Sequence, residues 1–120
     1  MRPLVAAALF ALPLLARPPA GGQDAAPATR AFTVSAVDGR FVPDQLDVSR
    51  NDLVQITLVS GEAPVSFAID AYRLMKRAGA GERITFAFRA DRAGRFTYYC
   101  SLAGNPACRS MKGTLVVADR

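Results

Sequence analysis

Gly94-Arg95-Phe96-Thr97-Tyr98-Tyr99-Cys100, the loop Ser101-Leu102-Ala103-Gly104-Asn105-Pro106-Ala107-Cys108-Arg109-Ser110-Met111, and the run Lys112-Gly113-Thr114-Leu115-Val116-Val117 together decide what this chain folds into. In the first part Phe96, Tyr98 and Cys100 share a face, and in the last Leu115 and Val117 do. A period of two is the signature of a strand with one face buried. Two strands are therefore predicted, joined by a loop that carries Cys108 and Met111 near the strand end marked by Cys100.

Working outward, the same alternation recurs. Phe32, Val34 and Ala36 form one face, Val54, Ile56 and Leu58 a second, and Ile84, Phe86 and Phe88 a third. Turn residues separate the runs at Asp38-Gly39, Arg50-Asn51-Asp52, Gly61-Glu62-Ala63-Pro64, Gly79-Ala80-Gly81 and Ala93-Gly94. About seven short strands result. No stretch shows a helical period, although Ala71 to Ala78 has room for one turn. Short strands at regular spacing predict an all-β fold, a Greek-key β-sandwich in which each sheet buries one face against the other.

One domain, residues 32–118, accounts for all of these strands. Residues 23–31 are small, polar and Pro-containing, and read as a flexible linker. Before them, Arg2 precedes an apolar run from Leu4 to Ala16, interrupted by Pro13 and followed by the small residues Ala20, Gly21 and Gly22. That run is short for a bilayer span and matches a secretory signal peptide, residues 1–22. The expectation is an exported protein, periplasmic or secreted, with no stable membrane span after cleavage. Its compartment would be one where two cysteines can pair.

The 120 residues include 15 Lys+Arg, 10 Asp+Glu, two Cys and no His. Without histidine no Ser-His-Asp or Cys-His triad exists, and His-ligated zinc is excluded. Two cysteines cannot supply a four-thiolate zinc or iron–sulfur site. Arg2 and Arg17 leave with the signal peptide while every acid stays, so the excess charge falls from +5 to +3. Nucleic acid binding wants a denser basic patch. These counts point to a binding or structural role and not to an enzyme.

Soft sulfur ligands gathered on one loop are what Cu(I) prefers, so Cys100, Cys108 and Met111 are candidate metal ligands. The same set also reads as a disulfide beside a core methionine. Closing the short loop by a Cys100–Cys108 bond would stabilise the fold by roughly 2–3 kcal/mol on the chain-entropy estimate. Oxidation removes the thiolates that a metal needs, so the two readings compete.

The segment from Phe41 to Val117 resembles the cupredoxin family, in particular its small secreted members and the copper domain of cytochrome oxidase subunit II. The resemblance runs through Phe41-Val42-Pro43, Leu46-Asp47-Val48, Asn51 to Leu58, Val65-Ser66-Phe67-Ala68-Ile69, Gly81 to Phe86, Gly94 to Cys100 and Met111 to Val117. It implies that Cys100 falls on the family's ligand cysteine and Met111 on its weak axial methionine. It also marks departures. Val65 stands where the family has its first histidine, and the last loop holds no second one. Cys108 occupies the place of a later histidine in the oxidase domain, and Gly104 that of the domain's second bridging cysteine. A blue-copper site of two His, one Cys and a weak Met cannot form from these residues. What the resemblance leaves is Cu(I) binding or copper handling at the three sulfurs, or a metal-free interaction module closed by the disulfide. Electron transfer would need ligands this chain lacks. The partner implied is a protein, of redox or copper-handling type.

Elsewhere, Tyr72-Arg73-Leu74-Met75-Lys76-Arg77 reads as a solvated basic loop with Leu74 or Met75 turned inward, able to dock an anionic partner. Met75 would join the sulfur ligands only if that loop folded toward them. Tyr98 and Tyr99 face opposite ways, one core and one surface. Asp70 and Glu62 make no paired acid/base site, and Gly79-Ala80-Gly81 lacks the Lys-Ser/Thr of a phosphate loop.

Overall fold

Alternation in sequence becomes alternation in burial. In the strand Leu53–Val59, Val54, Ile56 and Leu58 are wholly buried while Gln55 faces solvent. In Lys112–Ala118, Gly113, Leu115 and Val117 are buried and Lys112 is exposed. Each strand so patterned needs a second layer over its apolar face. The computed structural model, which describes residues 26–119, supplies it as two packed sheets. The expected signal peptide and the start of the expected linker lie outside the described residues.

The strands are β1 (Thr29–Val37), β2 (Arg40–Val42), β3 (Gln45–Ser49), β4 (Leu53–Val59), β5 (Val65–Ile69), β6 (Leu74–Ala78), β7 (Arg83–Arg89), β8 (Gly94–Tyr99) and β9 (Lys112–Ala118). One sheet has the order β2-β1-β4-β7 and the other β3-β9-β8-β5-β6. β1 runs parallel to β4 and β3 parallel to β9, while the remaining neighbours are antiparallel. Between the sheets lies an aromatic stack. Phe67 of β5 lies 4.8 Å from Tyr98 and 5.6 Å from Phe86, centroid to centroid, and Phe41 meets both Phe67 and Tyr98 edge-on or tilted. Tyr98 donates its buried hydroxyl to the Pro43 carbonyl at 2.9 Å, which satisfies the polar end of the ring. Burial, with the nearby Asp44 charge adding to it, pushes the Tyr98 phenol well above its ordinary range. Opposite Tyr98 in the ladder is Gly113, where an added Cβ would overlap the Tyr98 ring.

Two expectations are corrected. The first strand begins at Thr29 and not at Phe32, so the linker expected over 23–31 gives way to β1 at its end. The cause is polar. Asp52, only 2% exposed, accepts hydrogen bonds from the Ala28 N–H (3.1 Å) and the Ser49 N–H (2.9 Å), and Leu53 donates its N–H to the Ala28 carbonyl. Register with β4 then carries back to Thr29 opposite Leu53. The second correction concerns 72–77. Leu74–Ala78 is a strand, β6, at the edge of its sheet, preceded by a single 3-10 turn at Asp70–Tyr72. An edge strand tolerates a charged sequence because only part of it is buried. The inward anchor is Tyr72, half-buried between Phe88 and Phe96 with the Arg92 guanidinium 5.3 Å from its ring. Leu74 is half-buried and Met75 is exposed.

Candidate functional site

The loop after β8 is built by backbone and side-chain bonds that its own sequence encodes. Pro106 opens a 3-10 turn, Pro106–Ser110, and the Asn105 side chain caps it by accepting the Ala107 N–H at 3.1 Å. Asn105 also donates its amide to the Pro64 carbonyl at 3.1 Å, which ties the loop to the segment entering β5. Cys108 N–H donates to Asn105 O, Met111 N–H to Cys108 O, and Cys100 N–H to Met111 O. The three sulfur residues singled out by sequence are thus joined through consecutive backbone bonds. All three lie in the core, with Cys100 6%, Cys108 1% and Met111 3% exposed.

Cys100 and Cys108 form a disulfide, their Cα atoms 5.1 Å apart. Both sulfurs also accept hydrogen bonds. The Ser66 N–H approaches Cys100 Sγ at 3.4 Å and the Ser66 hydroxyl at 3.7 Å, while the Leu102 N–H reaches Cys108 Sγ at 3.1 Å. Ser66 is wholly buried and accepts the Ser101 N–H at 2.7 Å, so its hydroxyl bridges β5 to the sulfur loop. Met111 lines a cleft of about 490 Å³ at this end of the sandwich, walled by Asp38, Gly61, Glu62, Val65 and Asn105.

The residues can be tested against a copper ion. With the disulfide formed, neither cysteine offers a thiolate, and Val65, 1% exposed, brings only apolar surface to its side of the site. Met111 alone then remains as a soft donor, and a single thioether does not hold copper. The donor set does not fit the metal in this oxidised state. Among the described residues no group of three His, Cys, Asp or Glu side chains converges on a common point. Met75, considered as an extra ligand, is 60% exposed on β6 and stands outside the buried cluster that holds Cys100, Cys108 and Met111.

Sequence reasoning passed over the groups that surround the sulfurs. The Leu102 donor is a backbone amide, which no residue type announces. Ser66 did leave a signal: a hydroxyl inside the otherwise apolar run Val65–Ile69, whose burial on every residue demands a partner.

A strand ending in a buried cysteine, a capped loop and a returning strand inside a two-sheet sandwich now have a counterpart among known proteins. The model of the cupredoxin-like domain matches residues 4–117. The chain belongs to the cupredoxin-like family. Among solved cupredoxin folds it is similar to auracyanin A, described as a "blue" copper protein from the green thermophilic photosynthetic bacterium Chloroflexus aurantiacus, at 18% identity. That likeness has a TM-score of 0.64 and covers 74% of this chain and 98% of that one. It is also similar to auracyanin B, at 21% identity and TM-score 0.64, with 80% and 93% of the two chains covered. The copper nitrite reductase of Nitrosomonas europaea matches at 23% identity and TM-score 0.63, over 77% of this chain and 42% of that one. At these identities the likeness is one of fold. No curated protein matches the sequence. Among the described residues no helix is long and apolar enough to cross a membrane.

Proposed function

We propose that the chain is an exported, non-enzymatic cupredoxin-fold interaction domain in which a disulfide takes over the cross-linking of the last loop. The observation that carries this reading is the Cys100–Cys108 bond, which leaves no thiolate at the position the family uses for metal. Copper in a family site ties the end of β8 to the loop and to β5. Here the same three segments are tied by the disulfide, by Ser66 and by Asn105. The signal-like segment ahead of the domain supports export, where such a bond persists. The absence of histidine removes the imidazole that a Ser-His-Asp or Cys-His triad needs, which supports a binding role.

The test is a thiol count with mass measurement on protein purified without reductant. No free thiol, and a mass about 2 Da below the reduced form, is the expected result. A full complement of free thiols in protein isolated from its own compartment would overturn the reading.

A second reading is favoured by one observation, the N–H donors aimed at both sulfurs. Such donors stabilise a negatively charged sulfur. On reduction, Cys100, Cys108 and Met111 would present two thiolates and a thioether, a set suited to Cu(I) as cargo. Anaerobic Cu(I) titration of the reduced protein against a chelator checks it. Binding that is lost in Cys100→Ser supports copper handling, and no binding by the reduced wild type removes it.

A further inference from the structure

β6 closes no sheet. It pairs with β5 on one side, and no described strand lies on the other. Its register shows what shares its outward face. Met75 stands opposite Ala68, Ala68 opposite Tyr99, and Tyr99 opposite Lys112, so these four form one row across the outside of the five-stranded sheet. Arg77, two residues on from Met75, lies on the same side, as strand periodicity requires. A groove of about 550 Å³ runs here over Ala68, between Met75 and Arg73 on one wall and Tyr99 and Ser101 on the other.

The chemistry of this face is one-sided. Arg73, Arg77 and Lys112 here, and Lys76 on the other side of the same strand, are all exposed, and none has an ion pair among the described residues. The one acid on the groove, Asp70, is engaged by the Tyr99 hydroxyl at 2.7 Å. Met75, 60% exposed, is the most exposed large apolar side chain described. An open backbone edge beside unpaired cations and one apolar contact favours an extended, acidic segment over other occupants. A second copy of the same edge would set Arg73, Lys76 and Arg77 against their own kind, which is repulsive. A membrane surface would want more apolar area than a single methionine offers. Residues 1–25 hold only Asp24 as an acid, beside Arg2 and Arg17, and do not supply the complementary charge.

We infer that β6 is a docking edge: an acidic, extended segment of a partner protein adds as a further strand beside it, its carboxylates on Arg73 and Arg77 at one face and on Lys76 at the other, and an apolar side chain on Met75. The inference rests on the interaction-domain reading and names that partner's chemistry.

The experiment is a titration of the oxidised full chain, labelled with nitrogen-15, with a short synthetic peptide of the repeat Val-Val-Glu-Glu, which as a strand presents both residue types on each face. Amide shifts and slowed hydrogen exchange confined to β6 and its neighbours on β5 are expected, weakening as salt rises. The double variant Lys76→Glu/Arg77→Glu is expected to bind about tenfold more weakly. Where that variant folds poorly, a valine–lysine peptide on the wild type serves as the control and is expected not to bind. No shift at millimolar peptide, equal binding of the lysine peptide, or shifts centred on the Met111 cleft would each overturn the inference. Sedimentation with phosphatidylglycerol vesicles without peptide binding would assign the face to a membrane, and a dimer abolished by the double variant would assign it to a second copy. Both overturn it. Free thiols in protein isolated from its own compartment would instead sink the interaction-domain reading, whereas peptide binding by the oxidised chain would still support the docking edge.

Discussion

The two ends of the sandwich are closed by different chemistry. At one, the buried Asp52 carboxylate gathers the backbone amides of Ala28 and Ser49, and the neighbouring bonds from Arg50 to Ala118 and between Ala90 and Asp52 complete the closure. At the other, the Cys100–Cys108 bond fixes the long loop between β8 and β9, helped by Ser66 and Asn105. The first is a carboxylate whose burial is tolerable because N–H groups and the Arg30 guanidinium, 4.0 Å away, surround it. The second is a covalent link whose effect falls largely on the unfolded chain. One end therefore answers to the loss of an acceptor, the other to reductant.

The difference can be broken by substitution. Asp52→Ala removes the acceptor from buried amides and is expected to destabilise by about 3 kcal/mol, read as a shift in denaturation midpoint. Hydrogen exchange should accelerate at Ala28 and Ser49 first, while Cys108 and Met111 amides stay protected. Reduction, or Cys108→Ser, is expected to cost about 2–3 kcal/mol and to loosen the opposite set of amides. Combined, the two changes should add to within about 0.5 kcal/mol if the ends are independent. A larger coupling would show that the closures form one cooperative unit.

Smaller effects sharpen the picture between the ends. Tyr98→Phe removes the hydrogen bond to Pro43 and is expected to cost about 1 kcal/mol at neutral pH. Because the folded-state phenol is held above its ordinary value of 10.0, the unfolded chain releases that proton first. Stability should therefore fall as pH rises beyond about 10, with less fall in Tyr98→Phe. Denaturant midpoints measured on both sides of that pH check the sign. Smallest of all, Lys76→Ala on the open edge should leave stability within about 0.5 kcal/mol of the wild type.

The two ends also differed in how far the sequence disclosed them. Cys100, Cys108 and Met111 stood out because sulfur at short spacing is rare and chemically distinctive. Their bonding state did not, since a disulfide and a shared metal both require the same proximity. Asp52 looked like one acid in a turn. Two of its partners are backbone amides, one of them at Ala28 just ahead of β1 and far away in sequence, and amides carry no signature in residue type. The sandwich itself followed from alternation in Val54 to Leu58 and Ile84 to Phe88. β6 escaped because Leu74-Met75-Lys76-Arg77 at a sheet edge buries too little to alternate visibly, with only Ala78 fully covered.

The position of β9 sets the order in which the protein can assemble. It is the last of the described strands in the chain, yet it lies inside its sheet, between β3 and β8. Leu46 meets Leu115 and Phe96 meets Leu115 only through it. A nascent chain that has not released Lys112–Ala118 has no neighbour for β3 and no second edge for β8. Such distant pairings form late, after long loops have closed. The five-stranded layer is thus completed only when Lys112–Ala118 is free to pair with both neighbours.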